Sequence, residues 1–345
     1  MKNDKTYVLM SGWARSGAAL TSSMINAHTE ASFSVDVVKY FNFCYPRYPF
    51  LNQESLIIML QEMQLRLKAR FSIDLDFDYC IQVIGKNINH PHVYKVLMDH
   101  IVNQNSHGKI IGEYEGVSWG KIPYFLDNIE NSKAMIIVRD PRDVLLSFKK
   151  NTIAPGNDYL ITVFNYLSLM DSWIKYEKKY PNRILGVRFE DLKSNPEEIM
   201  QNVTNFLNID FEVKMLDSKN WKKLRGNKWE DWENHNSSSF RNNNKLKSNP
   251  VGRWRGLIDP VDHFICEWVL KDVMTSFNMD LEFANPSKEI FKLAIDRLIS
   301  SPLLSQAFFD YIYKSQGTEK YPIDPCNPHN WDKRYIDNIA LLDLQ

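Results

Sequence analysis

The sequence SGWARSGAAL, residues 11–20, has the glycine spacing of a phosphate-binding loop. Gly12 and Gly17 stand as in the pattern G-x-x-x-x-G-K-[ST], yet Ala18 and Ala19 occupy the positions of its lysine and its magnesium-binding hydroxyl. Both replacements count against a nucleotide triphosphate bound with its metal. The loop therefore predicts an anion site of another kind.

Apolar segments around the loop predict a strand before it and a helix after it. Residues 5–12, KTYVLMSG, form a short apolar run that ends in small residues, and residues 18–28 have helical spacing. Further strands are predicted within residues 108–116, 133–141 and 182–191. Helices are predicted at 50–70, 91–105, 157–180, 259–277 and 288–314. This alternation indicates a parallel sheet whose ligands bind at the carboxyl ends of the strands.

The expected fold is a P-loop-like, doubly wound α/β sheet flanked by helices. We predict one domain over residues 1–284 and a helical C-terminal extension, residues 285–345, packed on it. Residues 217–250 are polar, rich in asparagine and tryptophan, and without a clear period. This composition predicts a long loop or lid beside the acceptor site.

The net charge of the chain gives no support to a partner, such as a nucleic acid, that is attracted by the charge of the whole protein. The 345 residues include 42 Lys plus Arg and 42 Asp plus Glu, so the formal net charge is zero. No bulk field favours a nucleic acid or an acidic membrane, and any anion site must be local.

The cysteines and the N-terminus predict a cytoplasmic protein with reduced thiols. The chain has four widely spaced cysteines and no C-x-x-C pair, which is not the pattern of a zinc cluster or of a disulfide framework. They are Cys44, Cys80, Cys266 and Cys326. The apolar run at residues 7–10 is too short for a signal peptide or a membrane span.

Arg15 lies inside the glycine loop. Successive backbone N–H groups of such a turn point at one spot, at the positive end of the following helix, and a guanidinium there binds a phosphate oxygen and neutralises a leaving group. The alternative is a glycine turn with a solvated arginine.

A second motif, IIVRDPRDVLLSF at residues 136–148, ends a strand and begins a helix. Arg139 lies eight residues before Ser147, about two helical turns. The alternative is a helix start capped by Asp140, with Arg139 paired to Asp143.

Four motifs occur in order along the chain: RSGAAL with the later AH, VRDPRDVLLSF, VRFEDLKSNPEEI and NPVGRWRG. Together they resemble the sulfotransferases that use 3′-phosphoadenosine-5′-phosphosulfate (PAPS), with R-S-G-T-T-L loops of the bacterial and protein-tyrosine type. The resemblance covers about residues 6–277. It implies metal-free, in-line transfer of the sulfuryl group to a hydroxyl or amine of a small-molecule or carbohydrate acceptor, with 3′,5′-ADP as product.

The resemblance also implies the residues that bind the cosubstrate. Arg15 would contact the 5′-phosphate and the bridging oxygen, and Arg139 and Ser147 the 3′-phosphate. The loop, the ring of Phe189 near the adenine, and a closing segment at residues 247–255 (KSNPVGRWR) would complete the site. The loop and segment residues are Ser16, Gly17, Ala18, Ala19, Leu20, Lys247, Ser248 and Gly252. Trp254 is expected to be a core residue.

The sequence departs from the family pattern at two places. Ala18 and Ala19 replace threonines, so two hydroxyl contacts are lost unless Thr21 and Ser22 supply them. Phe189 replaces a tyrosine, which keeps the ring and loses its hydroxyl.

A base must take the acceptor's proton. Asp36 is the first candidate, because a glutamate lies 21 residues beyond the loop arginine in the protein-tyrosine branch and the same spacing reaches Asp36 here. Glu113 and Glu115, at a strand end, are further candidates, and each acid is alternatively a solvated group or an arginine partner. His28 is expected to pack or cap a helix, and HPH at residues 90–92 has no third ligand for a metal.

Three functions remain open at this point: a PAPS-dependent sulfotransferase, a P-loop kinase or other phosphotransferase, and a non-catalytic nucleotide binder. The missing lysine and hydroxyl after Gly17 argue against the kinase. In the lid, aromatic and acidic residues suit a flat, sugar-like or cationic acceptor, or else fold onto the core. They are Trp221, Trp229, Glu230, Asp231, Trp232 and Glu233.

Overall fold

The computed structural model describes residues 5–103, 108–152, 154–225, 228–231, 250–283, 286–324 and 326–327. The strands in these ranges are β1 (Thr6–Gly12), β2 (Ala31–Val35), β3 (Ile110–Gly116), β4 (Ser132–Val138), β5 (Ile184–Arg188), β6 (Lys222–Arg225) and β7 (Lys228–Asp231). The α-helices are α1 (Ala18–Ile25), α2 (Tyr40–Arg47), α3 (Gln53–Phe71), α4 (Phe77–Ile84), α5 (His90–Ile101), α6 (Ile122–Asn128), α7 (Pro141–Asn151), α8 (Ile161–Lys179), α9 (Phe189–Ser194), α10 (Pro196–Leu207), α11 (Pro260–Val269), α12 (Lys271–Ser276), α13 (Lys288–Leu298) and α14 (Pro302–Lys314).

The strands form one sheet in the order β5-β4-β1-β3-β2-β6-β7. Strands β1 to β6 are parallel, and β7 pairs antiparallel with β6. Strand β1 lies between β3 and β4, and its last residue, Gly12, pairs with Gly116 of β3. The predicted parallel α/β fold is therefore confirmed, and the loops after β1, β3 and β4 leave the sheet at one edge.

Alternate residues of β1 pack into two cores on opposite faces of the sheet. Tyr7 and Leu9 belong to one apolar cluster, and Val8 and Met10 belong to the other. All four are buried. Helices cover both faces, as a doubly wound sheet requires, so the functional loops rest on a rigid support.

Two predicted C-terminal helices are each divided in the structure. Residues 259–277 form α11 and α12, separated at Leu270, and residues 288–314 form α13 and α14. Ser301 is extended and caps α14, and Pro302 occupies its first turn. A residue before proline disfavours helical backbone, which explains the second break.

Residues 217–250 were predicted as one irregular loop, and that prediction is wrong for part of the range. Strands β6 and β7 form a hairpin there, and Leu224 of β6 pairs with Ser34 at the open edge of β2. Leu224 is buried, which explains why this edge position takes an apolar residue.

The helices beyond residue 285 pack on the same apolar cluster that covers β1. Ala294 and Leu298 of α13, with Leu304 and Ala307 of α14, are buried in that cluster. Within the described ranges, no helix combines the length and apolarity needed to cross a membrane.

Candidate functional site

The loop between β1 and α1 has backbone geometry suited to an anion. Gly17 has φ 101° and Arg15 has φ 76°, so the turn uses the left-handed region twice. Ser16 N–H donates to the Trp13 carbonyl at 3.3 Å. No side chain in the described residues caps α1, so the amides of Ala18 and Ala19 have no side-chain acceptor, while Leu20 N–H donates to the Gly17 carbonyl at 3.0 Å.

Arg15 reaches across to the helix that follows β4. Its Nε donates to Oγ of Ser147 on α7 at 3.0 Å. The Arg139 guanidinium donates through Nη1 to the Arg15 carbonyl at 3.2 Å. Burial, and then the nearby charge of Arg139, lower the pKa of Arg15. Two guanidinium groups this close favour an anion between them.

Phe189, the first residue of α9, lies against both the loop after β1 and the Arg139 side chain. A Cβ on Gly17 would lie 2.3 Å from the Phe189 ring, so the loop approaches the ring as only glycine allows. The Arg139 guanidinium lies over the same ring, 4.8 Å from its centroid. Phe189 is thus part of the same cluster as the loop, with one face engaged by a cation.

The segment around Gly252 is fastened to α7 by Asp143. The buried carboxylate of Asp143 accepts from Gly252 N–H at 2.7 Å and from Trp254 N–H at 3.0 Å. Arg139 Nη2 donates to the Pro250 carbonyl at 2.6 Å and lies 3.6 Å from Asp143. The closing segment therefore meets the arginine that the second motif supplies.

The second motif also has the two purely structural contacts that its sequence allows, a helix cap and an ion pair. Asp140 caps α7 by accepting from Arg142 N–H at 2.9 Å, and Arg139 pairs with Asp143. Nevertheless Nε of Arg139 is buried and has no partner among the described residues. A buried donor without an acceptor is costly, and an anionic ligand would supply one.

The hydroxyls of Thr21 and Ser22 have partners within the protein. The Thr21 hydroxyl donates to the Gly17 carbonyl at 3.3 Å, and the Ser22 hydroxyl donates to Sδ of Met10 at 3.6 Å. Ala18 and Ala19 thus leave the loop with main-chain donors at these positions.

Asp36 and Glu113 lie at the ends of adjacent strands but in different surroundings. The Asp36 side chain keeps 38% of its surface exposed and follows β2 with φ 57°. Its Oδ1 accepts from Gly116 N–H at 3.4 Å, one strand away from the phosphate-loop residue Gly12. Asp36 therefore keeps an accessible carboxylate at the edge of the sheet that carries the loop after β1.

Glu113 is fully buried and its carboxylate is occupied. It accepts from Val38 N–H at 2.6 Å, from Lys39 N–H at 2.9 Å and from the Ser34 hydroxyl at 3.1 Å. Burial raises the pKa of Glu113 to about 7, although the Lys39 amide, Arg66 and the Val38 amide oppose the shift. These contacts fasten the turn after β2 to β3.

Glu115 is also buried and binds the start of α2. Its Oε1 accepts from Phe41 N–H at 3.2 Å. Burial raises the pKa of Glu115 well above its usual range, and Glu113 adds to the shift.

Other residues singled out in the sequence have structural contacts. His28 Nε2 lies 2.7 Å from the Asp210 carbonyl, His90 Nδ1 lies 2.7 Å from the Tyr40 hydroxyl, and Trp254 is buried in the core. Trp221 donates to the Met215 carbonyl at 2.8 Å, so its indole folds back on its own chain. The remaining lid residues and the closing-segment residues Lys247 and Ser248 lie outside the described side chains.

One further residue, Tyr166, shapes this site, and no motif in the sequence marks it. The Tyr166 hydroxyl on α8 accepts from Arg139 N–H at 2.7 Å and donates to the Arg139 carbonyl. It fixes the turn after β4. A lone tyrosine in a long helix gives no local signal of such a role.

Comparisons with known proteins give the family and the fold. The family model described as "Sulfotransferase domain" matches residues 5–272. The sulfotransferase domain from the curacin biosynthetic pathway is similar with a TM-score of 0.51 and 17% identity, over 81% of this chain and 99% of that chain. The sulfotransferase domain of the Synechococcus PCC 7002 olefin synthase has a TM-score of 0.49 and 16% identity, over 82% of this chain and 98% of its own.

Mouse sulfotransferase SULT7A1, solved with PAP, is similar with a TM-score of 0.41 and 11% identity, over 87% of this chain and 90% of that chain. No curated protein matches the sequence. At these identities the structural likeness bears on the fold alone, while the family match spans well over half of the chain. The chain belongs to the sulfotransferase domain family.

Proposed function

We propose that this protein transfers the sulfuryl group of PAPS to a hydroxyl or amine of a small-molecule or carbohydrate acceptor, without a metal. The observation that carries the proposal is the meeting of Arg15 and Ser147 at 3.0 Å, with Arg139 on the Arg15 carbonyl. It joins two anion-binding motifs around one loop. The unpartnered Nε of Arg139 and the uncapped start of α1 fit a ligand with two phosphate groups.

The loop holds the 5′ end of the cosubstrate. The amides of Gly17, Ala18 and Ala19 and the Arg15 guanidinium surround the 5′-phosphate, at the positive end of α1. The Ser16 and Leu20 amides, which donate to the Trp13 and Gly17 carbonyls, hold the turn. When bound, PAPS supplies an activated sulfuryl group, whose bond to the 5′-phosphate oxygen breaks as the acceptor atom bonds to sulfur. Arg15 stabilises the negative charge that appears on that phosphate.

Arg139 and Ser147 hold the 3′-phosphate, and Phe189 lies by the adenine. Asp143 supports this end, because it keeps Gly252 and Arg139 together. Ser147 on α7 accepts a hydrogen bond from Arg15, so the residues that bind the two ends of the ligand are connected. Lys247 and Ser248 are further ligands of the 3′-phosphate in this proposal.

Asp36 takes the proton of the acceptor. Its carboxylate is accessible, and it lies next to Gly116 at the same edge of the sheet as the phosphate loop. Glu113 serves as a support for the turn that carries Asp36, since all its contacts are internal.

The test is binding followed by turnover. Calorimetry with 3′,5′-ADP in the absence of magnesium should give a 1:1 complex, and PAPS with a panel of phenols, sugars and amines should yield a sulfated product. Failure to bind either nucleotide would reject the proposal, and tight binding of ATP only with magnesium would favour a phosphotransferase.

A non-catalytic nucleotide binder is the second candidate. The loss of both loop hydroxyls at Ala18 and Ala19 favours it, because Thr21 and Ser22 are engaged elsewhere. Binding of 3′,5′-ADP together with no release of 3′,5′-ADP from PAPS under any acceptor condition would select this candidate.

A further inference from the structure

The C-terminal segment that follows α14 runs across α8 toward the edge of the sheet where Asp36 lies. Thr318 N–H donates to the Phe164 carbonyl at 3.0 Å. Asn165 binds Lys320 twice, through the Lys320 N–H at 2.9 Å and the Lys320 carbonyl at 2.8 Å. Gly317 lets the segment lie flat on the helix, because a Cβ there would come within 2.3 Å of the Phe164 carbonyl oxygen. The path of this segment is thus fixed by contacts that α8 makes with the main chain of the segment.

Tyr321 is delivered by this segment to the carboxyl end of β3. Its hydroxyl donates to the Gly116 carbonyl at 2.5 Å. Its ring stacks on Trp13, at the start of the phosphate loop, with centroids 6.0 Å apart. A Cβ on Gly116 would lie 2.9 Å from the Tyr321 hydroxyl, so the strand end is shaped to admit it.

Lys39 connects Tyr321 to Asp36. Its ammonium lies 3.2 Å from the Tyr321 hydroxyl oxygen and 3.4 Å from Oδ1 of Asp36, and 4.8 Å above the centre of the tyrosine ring. Lys39 is only 2% exposed. A buried ammonium needs acceptors, and Tyr321 and Asp36 supply them. The ammonium is therefore held in one place, between the C-terminal segment and the accessible carboxylate.

We propose that Tyr321 is a positioning residue for Asp36, acting through Lys39. The inference rests on the proposed function, in which Asp36 is the base. Tyr321 lies beyond residues 5–272, which the family model matches, so this contact adds to the part of the chain that defines the family. The hydroxyl orients the Lys39 ammonium, and the ammonium fixes the carboxylate in the direction of the acceptor.

The first measurement is kinetic and uses water as the acceptor, followed as release of 3′,5′-ADP from PAPS. Tyr321→Phe keeps the ring on Trp13 and removes the hydroxyl, and it should lower kcat about tenfold while KM for PAPS and the affinity for 3′,5′-ADP stay within about twofold of the parent. In an Asp36→Asn background the same change should lower kcat less than about twofold, because the group being positioned is already lost. Tyr313→Phe, at a tyrosine that is 72% exposed on α14, is the matched control and should leave all values unchanged.

The second measurement needs no turnover. The decreases in urea midpoint caused by Tyr321→Phe and Lys39→Met should be non-additive. The midpoint of the double variant should be no lower than that of the more affected single variant. Additive midpoints, or a parallel loss of kcat and nucleotide affinity in Tyr321→Phe, would overturn the positioning role.

The two proposals fail in distinguishable ways. Full turnover by Asp36→Asn would reject the role of Asp36 as the base. Impaired Asp36→Asn together with a normal Tyr321→Phe would reject the inference alone. If the parent released no 3′,5′-ADP from PAPS with water or with any acceptor of the panel, transfer would be contradicted, and the urea midpoints would still decide whether Tyr321 and Lys39 are coupled.

Discussion

Nε of Arg15, in the loop after β1, donates a hydrogen bond to Oγ of Ser147 on α7 at 3.0 Å. The two residues come from motifs 132 positions apart in the sequence, and the parallel order of β1 and β4 brings them together. In the same place Arg139 binds the Arg15 carbonyl. A ligand held by one motif is therefore held next to the other.

Arg15→Ala should lower the affinity for 3′,5′-ADP by about 10- to 100-fold, since a charge-assisted hydrogen bond contributes about 1.5–3 kcal/mol. Ser147→Ala should cost less, about tenfold, because it removes one hydrogen bond to the phosphate and no charge. Calorimetry checks both values. Arg70→Ala, whose guanidinium lies over Phe71 at the end of α3, is the control. Equal affinities for Arg15→Ala and Arg70→Ala would contradict the role of Arg15.

Gly17→Ala should lower both stability and nucleotide affinity. The residue has φ 101° and a Cβ would lie 2.3 Å from the Phe189 ring, so the substitution strains the backbone and displaces the ring. Gly156→Ala is the matched control, since Gly156 has φ 54° but no atom within 4 Å of its Cβ position. We expect about 1–2 kcal/mol from the backbone term in both variants and an additional loss only in Gly17→Ala.

Urea unfolding and calorimetry with 3′,5′-ADP separate the two terms. A Gly17→Ala protein that is no less stable than Gly156→Ala and binds 3′,5′-ADP normally would show that the contact with Phe189 has no importance for the site.

Asp143→Asn should loosen the segment from Pro250 to Trp254. Both carboxylate oxygens accept main-chain N–H groups, and an amide would turn a donor toward one of them. The expected cost is about 1–3 kcal/mol in the free energy of unfolding, with a weaker affinity for 3′,5′-ADP. Asp296→Asn, on the exposed face of α13, should change neither. Unaltered affinity in Asp143→Asn would separate the segment from the nucleotide site.

Asp36→Asn should lower turnover by about 10²–10⁴, because proton transfer by a positioned base contributes that much. Asparagine tolerates the left-handed backbone of Asp36, at φ 57°, so the variant should fold. The affinity for 3′,5′-ADP should stay unchanged. Asp74→Asn, which removes an exposed partner of Lys68, is the control. A matching loss of binding would mean that Asp36 supports the fold and is not the base.

The parts of the fold and the site that were predictable depend on short-range patterns. The apolar run and glycines of β1 and its loop predict a strand, an anion loop and a helix, and the motif from Arg139 to Ser147 repeats this arrangement after β4. Because a parallel sheet places such loops at one edge, their meeting follows from the fold class. The break before α14 also had a local signal, in the sequence Ser301-Pro302.

Other features had no local signal. Strand β2, with the sequence ASFSV, has two serines where a buried strand usually has apolar residues, and Ser32 and Ser34 are fully buried. Lys39 and Tyr321 are 282 positions apart, and their contact depends on the tertiary path of the C-terminal segment. Such pairs follow from packing, which a single sequence does not specify.

Glu267→Gln should change the response of the protein to acid. Burial alone would raise the pKa of Glu267, but hydrogen bonds from His263, from the Phe283 amide and from Arg142 lower the pKa to about 2. The folded pKa is below the usual value of 4.5, so the ionised carboxylate stabilises the fold above about pH 4.5, and this contribution is lost as the pH falls toward 2. Arg142 binds both Glu267 and Asp140, the cap of α7. Protonation of Glu267 should therefore weaken the support of the turn after β4, which carries Arg139.

Urea unfolding between about pH 6 and pH 3 should show the parent losing roughly 2 kcal/mol more stability than Glu267→Gln, whose starting stability is lower. Glu177→Gln, at an exposed position on α8, should follow the parent. If parent and Glu267→Gln lost stability in parallel as the pH fell, the contacts of Glu267 with Arg142 and His263 would not stabilise its ionised form, and the connection from α11 to the Arg139 turn would have to be attributed to packing.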